Sequence, residues 1–311
     1  MNGVKRSELM KLNEMISEKL NELGYSVGFA SIEAVNDLEN EIKSRVDKAD
    51  IDRDLYEHRM SWFNFNPYEV LAGNKTIIIV SVPQNAISVS YLWKGKNRKF
   101  ILPPTYIFSP IGENLLEIIR KTLEPFGFTA ENAALPEKLL ATRTGLAKYG
   151  RNNITYVEGS GSYHRLFAFF TDMPCENPSW RKPELLEQCE FCSNCVDNCP
   201  TKCIKEEKFI INAERCLTHF NESRKPFPDW IKDHWHNAII GCLKCQTICP
   251  ANPKLIVEES HISFSEFEVK QIINQTPKED LQKETWNKLK ELCLHMCYSF
   301  IGRNLKVLIP D

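Results

Sequence analysis

The first part of the chain arranges apolar and polar residues with the periods of helices and strands. Thr76–Val82 is rich in apolar β-branched residues and ends at Pro83, which predicts a buried strand. A second strand is predicted over Tyr25–Ala30, and the charged residues 36–59 favour a helix or an ordered loop. Apolar residues at helical spacing before Gly24 predict an amphipathic first helix: Leu9, Leu12, Met15, Ile16, Leu20 and Leu23.

More elements are predicted before the composition changes after Thr171. A Ser-Pro pair is typical of a helix start, and two apolar runs have the length and side chains of strands. The predicted elements are a helix from Ser109-Pro110, a helix over Pro136–Ala147, and strands over Ile154–Val157 and Leu166–Thr171 joined as a hairpin at Glu158–Ser162.

These patterns predict an α+β chain with three parts. Residues 1–175 form an α/β domain, and residues 176–256 are rich in cysteine. Residues 257–311 are more polar and are predicted to form two C-terminal helices. The aromatic stretch Trp62–Phe65 could wall a pocket, but its composition favours a place in the hydrophobic core.

The totals describe an ordinary globular chain. It has 311 residues, 42% of them hydrophobic, and a formal net charge of −2. This balance does not favour nucleic acid or an anionic membrane as a partner. No apolar run approaches the roughly 20 residues that span a bilayer, and the N-terminus lacks a signal-peptide pattern. We therefore expect a cytoplasmic protein that does not enter a membrane.

Ten of the twelve cysteines lie between residues 175 and 250. Three closely spaced thiolates followed by Cys-Pro are typical of bacterial two-cluster ferredoxins, in which the fourth cysteine ligates the other cluster. The chain is therefore predicted to bind two [4Fe–4S] clusters. One cluster takes Cys189, Cys192, Cys195 and Cys249, and the other takes Cys199, Cys216, Cys242 and Cys245.

Two alternatives concern the cysteines. A structural zinc site is one, although zinc sites usually pair two short Cys-x-x-Cys knuckles rather than three ligands in one loop. The other concerns Cys175, Cys203, Cys293 and Cys297, for which core packing is a better interpretation than a catalytic thiol.

Two clusters predict electron transfer, and the long α/β part before them predicts a second redox centre or a substrate site. No Gly-x-Gly-x-x-Gly follows a predicted strand, so a Rossmann nicotinamide site is not indicated. The first hypothesis is a reductase. The second is an electron carrier that serves a corrinoid protein or another redox partner.

Several segments resemble the epoxyqueuosine reductases, which are relatives of the reductive dehalogenases. The resemblance is strongest over about residues 125–252. The segments that carry it are Cys189–Thr201, Arg215-Cys216, Gly241–Asn252, Pro136–Asn152 and, near the end, Ile301–Leu305.

The resemblance implies a corrinoid-type first domain in which electrons pass through both clusters to cobalamin. By position, Glu131 takes the place of the family's proton-donating Asp, and Tyr106 lies nearest to the family's Tyr-containing segment, without that segment's Asp and His. Ala147 replaces one glycine of the family motif. The residues that would meet the corrinoid are Gly145, Tyr149, Gly150, Arg151 and Asn152.

The resemblance also implies partners. Reduced ferredoxin or flavodoxin would supply electrons to the clusters. Family members that act on tRNA continue into a helical-repeat region, whereas this sequence ends soon after Asn304 and is not basic. We therefore expect a small-molecule substrate. A shortened enzyme that acts on tRNA epoxyqueuosine is a third hypothesis, which a basic groove would favour.

Overall fold

The computed structural model describes residues 6–107, 109–206 and 210–309. The strands are β1 (Ser26–Ser31), β2 (Thr76–Pro83), β3 (Ala86–Trp93), β4 (Lys96–Leu102), β5 (Ala130–Asn132), β6 (Lys148–Tyr149), β7 (Thr155–Tyr156), β8 (His164–Thr171) and β9 (Val257–Phe264). The helices are α1 (Arg6–Glu22), α2 (Ala34–Asp47), α3 (Arg53–Arg59), α4 (Pro67–Val70), α5 (Ser109–Leu123), α6 (Glu137–Thr144), α7 (Asn194–Asp197), α8 (Leu217–Asn221), α9 (Lys244–Thr247), α10 (Glu266–Ile273), α11 (Lys283–Glu291) and α12 (Tyr298–Leu308).

The chain forms two compact units. Unit 1 contains residues 1–83 and 109–192, and unit 2 contains residues 84–108 and 193–311. The mixture of helix and sheet confirms the predicted α+β class. Unit 2 joins segments that are distant in sequence because β3 pairs with β9 in parallel. This division therefore differs from the predicted ranges 1–175, 176–256 and 257–311, which were drawn from composition along the chain.

Unit 1 is built on an antiparallel sheet with the order β1-β2-β8-β5. Alternate residues of β2 face opposite sides of the sheet, as strand geometry requires. Ile77 and Ile79 pack with residues of α2 and α6, whereas Ile78 and Val80 pack with residues of α1 and α5. Because β2 is covered on both faces, its sequence is a nearly continuous apolar run.

Most predicted elements of unit 1 are confirmed, including α1, β1, β2, α5 and α6. The side chain of Leu9 lies outside the described residues. The predicted hairpin at Glu158–Ser162 is wrong, because β7 pairs with β6 and β8 pairs with β2 and β5. A single bridge between Val157 and Gly161 closes the turn, so its glycines terminate one short strand instead of linking two paired strands.

Unit 2 contains a sheet with the order β4-β3-β9, covered by α10, α11 and α12. Tyr91 of β3 stacks on Phe264 of β9, with ring centroids 5.0 Å apart. The prediction of two C-terminal helices is therefore incomplete, since β9 and the additional helix also lie there. β9 carries several charged and exposed residues, including Glu258 and Glu259, which conceal its strand character.

The cysteine-rich segment of unit 2 has little regular structure. Its helices α7, α8 and α9 have only four or five residues each. Short helices of this length need packing or bound groups to hold them. In the part of the chain that the structure describes, no helix is both long and apolar enough to cross a bilayer.

Candidate iron–sulfur site

The second predicted ligand set lies entirely in unit 2. Cys199 follows α7, Cys216 is the residue before α8, Cys242 precedes α9 and Cys245 lies within α9. Each of these cysteines therefore lies within a short helix or within two residues of one. All twelve cysteines of the chain are free thiols.

The thiols of this set differ in their electrostatic surroundings. A hydrogen bond from Cys203 lowers the pKa of Cys199 to about 5, and Cys203 likewise lowers the pKa of Cys216 to about 7. Burial raises the pKa of Cys242 to about 11 and raises that of Cys245 well above its usual range. Metal binding would remove these protons, since thiolates are the ligands.

The first predicted set is divided between the two units. Cys189 and Cys192 end unit 1, and Cys195 and Cys249 belong to unit 2. Within unit 1, Arg151 holds the loop of Cys189. The Arg151 backbone N–H donates to the Cys189 sulfur at 3.4 Å, and its guanidinium donates to the Cys189 carbonyl oxygen. Arg151, predicted to meet a corrinoid, therefore positions a predicted cluster ligand.

The donor set fits iron–sulfur clusters better than a single zinc ion. Structural zinc needs four ligands around one centre. Seven free thiols in two motifs that end in Cys-Pro, together with Cys216, match the ligand chemistry of two [4Fe–4S] clusters.

A hydrogen-bond network supports the loop before Cys242. Asn221 donates from its amide to the Gly241 carbonyl at 2.6 Å. Asn304 in turn donates to the carbonyls of Asn221 at 2.8 Å and Ile239 at 3.0 Å. Gly241 has a φ of +69°, a conformation that favours glycine. The C-terminal segment Ile301–Leu305 thus carries an amide that holds this loop, a role that the sequence did not reveal.

Tyr106 lies in the same unit, against Gly241. Its hydroxyl donates to a carboxylate oxygen of Glu222 at 2.5 Å. Burial and the neighbouring Glu222 carboxylate raise the pKa of Tyr106 well above its usual range. Glu131, the other residue predicted to be catalytic, belongs to unit 1. There its carboxylate pairs with Arg120 of α5.

The residues predicted to meet the corrinoid are occupied within unit 1. The side chain of Arg181 lies where a Cβ of Gly145 would be, and it donates to the Gly145 carbonyl at 2.7 Å. Tyr156 and Asn152 similarly fill the space beside Gly150, and the Asn152 amide donates to the Tyr156 hydroxyl at 3.0 Å. The two glycines therefore make room for the chain's own side chains.

Tyr149 completes this pattern. It is buried, and its backbone exchanges hydrogen bonds with Glu184 and Leu186. Burial raises the pKa of its hydroxyl, so the phenol stays protonated. Together with Arg151 on Cys189, these contacts show that all five predicted residues interact with other residues of unit 1.

The prediction that Trp62–Phe65 lies in the core is confirmed for Phe65, which packs against the core of unit 1, and wrong for Trp62. Trp62 is 58% exposed, and its ring centroid lies 4.6 Å from that of Phe63. Phe63 and Phe65 line an open surface pocket of about 490 Å³ in unit 1. Asn64 and Asn66, also in the wall, add amide groups to the aromatic surface. Polar residues alternate with the aromatic ones here, which allows one side of the segment to face solvent.

Glu137 is a second feature that sequence reasoning missed. It is the first residue of α6, and burial raises the pKa of its carboxyl to about 7, with Arg165 acting in the opposite direction. A carboxyl that titrates near neutral pH can hold or release a proton under physiological conditions. In the sequence, the position of Glu137 directly after Pro136 indicated only that a helix begins there.

Comparison with known proteins agrees with this geometry. Residues 188–252 match the family model of a 4Fe-4S double cluster binding domain. That range contains all eight predicted ligands.

Individual relatives extend the comparison, and this chain aligns with only part of each of the two described below. An epoxyqueuosine reductase of Cyclobacterium marinum is 26% identical over 237 residues, which cover 73% of this chain and 67% of that protein. An epoxyqueuosine reductase of Pseudomonas aeruginosa is 33% identical over 144 residues, covering 45% of this chain and 38% of that protein. The chain resembles the epoxyqueuosine reductases.

Solved structures show the same fold. The epoxyqueuosine reductase of Streptococcus thermophilus superposes with a TM-score of 0.67 at 20% identity, covering 96% of this chain and 80% of that chain. Another epoxyqueuosine reductase, crystallised with a modified tRNA stem loop, gives a TM-score of 0.60 at 19% identity, covering 78% and 66%. The predicted resemblance to epoxyqueuosine reductases is confirmed, and the relatives support an oxidoreductase.

Proposed function

We propose that this protein is an iron–sulfur reductase that passes electrons through two [4Fe–4S] clusters to a small molecule bound in unit 1. The observation that carries the proposal is the double-cluster match over residues 188–252, which contains nine free cysteines, eight of them the proposed ligands. Bound [4Fe–4S] clusters supply one-electron transfer. The remaining steps depend on what the chain's own residues hold and orient.

The two ligand sets are proposed as the spacing predicts them: Cys189, Cys192, Cys195 and Cys249 for one cluster, and Cys199, Cys216, Cys242 and Cys245 for the other. Arg151 fixes the Cys189 loop through two hydrogen bonds. The Asn221 and Asn304 amides fix the loop before Cys242. These contacts hold parts of the two loops in place, and metal binding would complete their order.

The aromatic pocket of unit 1 is the proposed substrate site. Its volume of about 490 Å³ is within the range that holds small molecules. Phe63 and Phe65 can stack on a planar ring, and the amides of Asn64 and Asn66 can hydrogen-bond its edge. The chain carries 39 basic and 41 acidic residues, a balance that does not favour tRNA.

Reduction of a substrate also consumes protons. Glu137 is the proposed proton reservoir of unit 1, because its carboxyl titrates near neutral pH. Glu131 is a weaker choice than the sequence implied, because Arg120 already engages its carboxylate. In unit 2, the Tyr106 hydroxyl keeps its proton in a hydrogen bond to Glu222.

Cobalamin is implied by the family resemblance alone. Because Gly145, Tyr149, Gly150, Arg151 and Asn152 are engaged within the chain, our proposal includes no step through a corrinoid. Cobalt analysis after purification with hydroxocobalamin tests this directly. Stoichiometric cobalt would contradict this part of the proposal.

A second candidate function is electron transfer to a protein partner. The observation that favours it is that side chains of the chain itself, Arg181 and Tyr156, lie beside Gly145 and Gly150. In this case a protein redox partner would oxidise the reduced clusters, and a small molecule would not.

The test begins with anaerobic protein whose clusters are reduced by flavodoxin or ferredoxin and freed of excess donor. Candidate acceptors are epoxyqueuosine as the free nucleoside and tRNA that carries epoxyqueuosine. We expect the nucleoside to restore the visible absorbance of the oxidised clusters and to be converted to product. Cys245→Ala is the matched control, since it removes one proposed ligand.

Other outcomes would contradict the proposal. Reoxidation by tRNA but not by the nucleoside would restore the tRNA hypothesis. Reoxidation only by another redox protein would establish the carrier.

A further inference from the structure

Cys203 lies among the sulfur atoms of the second ligand set without belonging to it. It is 2% exposed and packs with Cys195, Cys199 and Ile204. Its sulfur is 3.5 Å from that of Cys199, and a second side-chain hydrogen bond joins it to Cys216. A thiol in contact with two proposed ligands of one cluster does more than fill space.

The turn that carries Cys203 is well anchored. The Lys202 backbone N–H donates to the Cys199 carbonyl at 3.2 Å, and the Asn212 N–H donates to the Cys203 carbonyl at 2.9 Å. Lys202 also donates from its ammonium to the Asp197 carbonyl at 2.8 Å. These bonds hold Cys203 four residues after Cys199, facing its sulfur.

The chemistry of the three sulfurs assigns their roles. Cys199 and Cys216 would bind iron as thiolates, which have no proton to donate. Cys203 therefore holds the only thiol proton of the trio. Hydrogen bonds to ligand sulfurs are among the factors that set the reduction potential of a cluster. A donor favours the reduced cluster, which carries more negative charge.

We propose that Cys203 is a positioning residue of the second cluster, whose thiol donates a hydrogen bond to the Cys199 sulfur and raises the reduction potential of that cluster. This inference rests on the proposed function only for the ligand assignment. Thr201 lies beside the same sulfur, with its hydroxyl 3.5 Å away, and supplies a second polar neighbour.

The test compares Cys203→Ala and Cys203→Ser with the wild-type protein and with Cys293→Ala, which removes another buried thiol of unit 2. Iron and sulfide are counted first. A potentiometric titration followed by electron paramagnetic resonance then gives the two cluster potentials. If the alanine variant does not accumulate, Cys203→Val replaces it, since valine is similar in size and lacks a donor.

We expect eight irons in every variant. In Cys203→Ala one potential should fall, by up to a tenfold change in the oxidised-to-reduced ratio, or about 59 mV for one electron. The other potential should stay unchanged and act as an internal reference. Cys203→Ser should restore most of the shift, and Cys293→Ala should leave both potentials unchanged.

Two results would overturn the inference. Unchanged potentials in Cys203→Ala would reduce Cys203 to a packing residue. Loss of about four irons in that variant alone would make Cys203 a ligand. A wild-type protein with fewer than eight irons would instead contradict the ligand assignment, so the two failures are distinguishable.

Discussion

The sheet of unit 1 and the cysteine-rich segment of unit 2 are ordered by different forces. The central strand β2 is buried along almost its whole length, with apolar helices packed on both faces. The segment 193–252 has helices of four or five residues and a small apolar cluster around Cys195, Cys199 and Cys203. Burial of apolar area explains the first region. In the second region Ile239 and Ile240 also join the core of unit 2, but the spacing of the cysteines adds a contribution that depends on metal.

The two regions differ in which feature of the sequence determines their structure. In the sheet this feature is the period of apolar residues, which many sequences could satisfy. In the cysteine-rich segment it is the spacing of a few thiols, which are useful only if metal joins them. The segment should therefore depend on its clusters, whereas the sheet should not.

Removal of the clusters should separate the two regions most strongly. Anaerobic chelation of iron should abolish amide-exchange protection across residues 193–252, because metal binding supplies much of their folding free energy. Protection in β2 and β8 should persist. Cys175→Ala, which removes a thiol outside both proposed sets, should keep full iron and full protection. A segment that stays protected without iron would contradict the comparison.

A core substitution should act on the other region alone. Phe169→Ala in β8 removes a fully buried ring from the packing with α1 and α5, and it should lower the free energy of unfolding by about 3–5 kcal/mol. Iron content should not change. The matched control is Phe191→Ala, at a ring that is 92% exposed. Its free energy of unfolding, measured by denaturant melts, should change by no more than about 0.5 kcal/mol.

A smaller effect is expected where apolar packing and the cysteine loops meet within unit 2. Asn304→Ala leaves the carbonyls of Asn221 and Ile239 without their donor, which should cost about 1–3 kcal/mol. The loop before Cys242 should loosen, so the visible absorbance of the clusters should decay faster in the presence of a chelator. In Lys306→Ala, which changes an exposed position of the same helix, the cluster absorbance should decay at the wild-type rate.

The last effect concerns pH and the half-buried carboxyl of Glu137 in unit 1. Burial raises the pKa of Glu137 from 4.5 to about 7 in the folded chain. Between these values the unfolded carboxyl ionises while the folded one stays protonated, so stability falls as pH rises and the loss is complete above pH 7. Glu137→Gln should therefore raise the free energy of unfolding by about 2 kcal/mol at pH 8 and leave it unchanged at pH 4. The value at pH 8 is reduced to allow for partial exposure of the side chain.

Denaturant melts at the two pH values measure this gain. Glu158→Gln, at an exposed carboxyl, should show no such difference. An equal gain for Glu137→Gln at both pH values would mean that the carboxyl is not the cause.

The sequence predicted the regions where one physical signal dominates. The apolar run of β2 and the helical spacing of α5 identified the sheet and its cover. The β3–β4 hairpin was missed, although Lys94-Gly95 between two strand-like runs is a recognisable two-residue turn with positive φ at both positions. β9 was missed because its charged, exposed residues hide a strand that pairs with β3 far away in sequence.

The candidate site shows the same division. Cysteine spacing predicted eight ligands, because cluster geometry fixes the intervals between them. It could not show that Cys203 contacts the Cys199 sulfur or that Asn304 holds a loop more than 60 residues earlier. Gly145 and Gly150 were predicted to admit a cofactor, but a glycine also admits a side chain of its own chain, and here Arg181 and Tyr156 lie against them. Such contacts depend on tertiary structure.

The most direct test of the central claim is iron and sulfide analysis of anaerobically purified protein, combined with its resonance spectrum after reduction. The account predicts about eight irons and eight sulfides per chain and signals from two interacting [4Fe–4S] clusters. Zinc in place of iron, or about four irons and a single cluster, would contradict it.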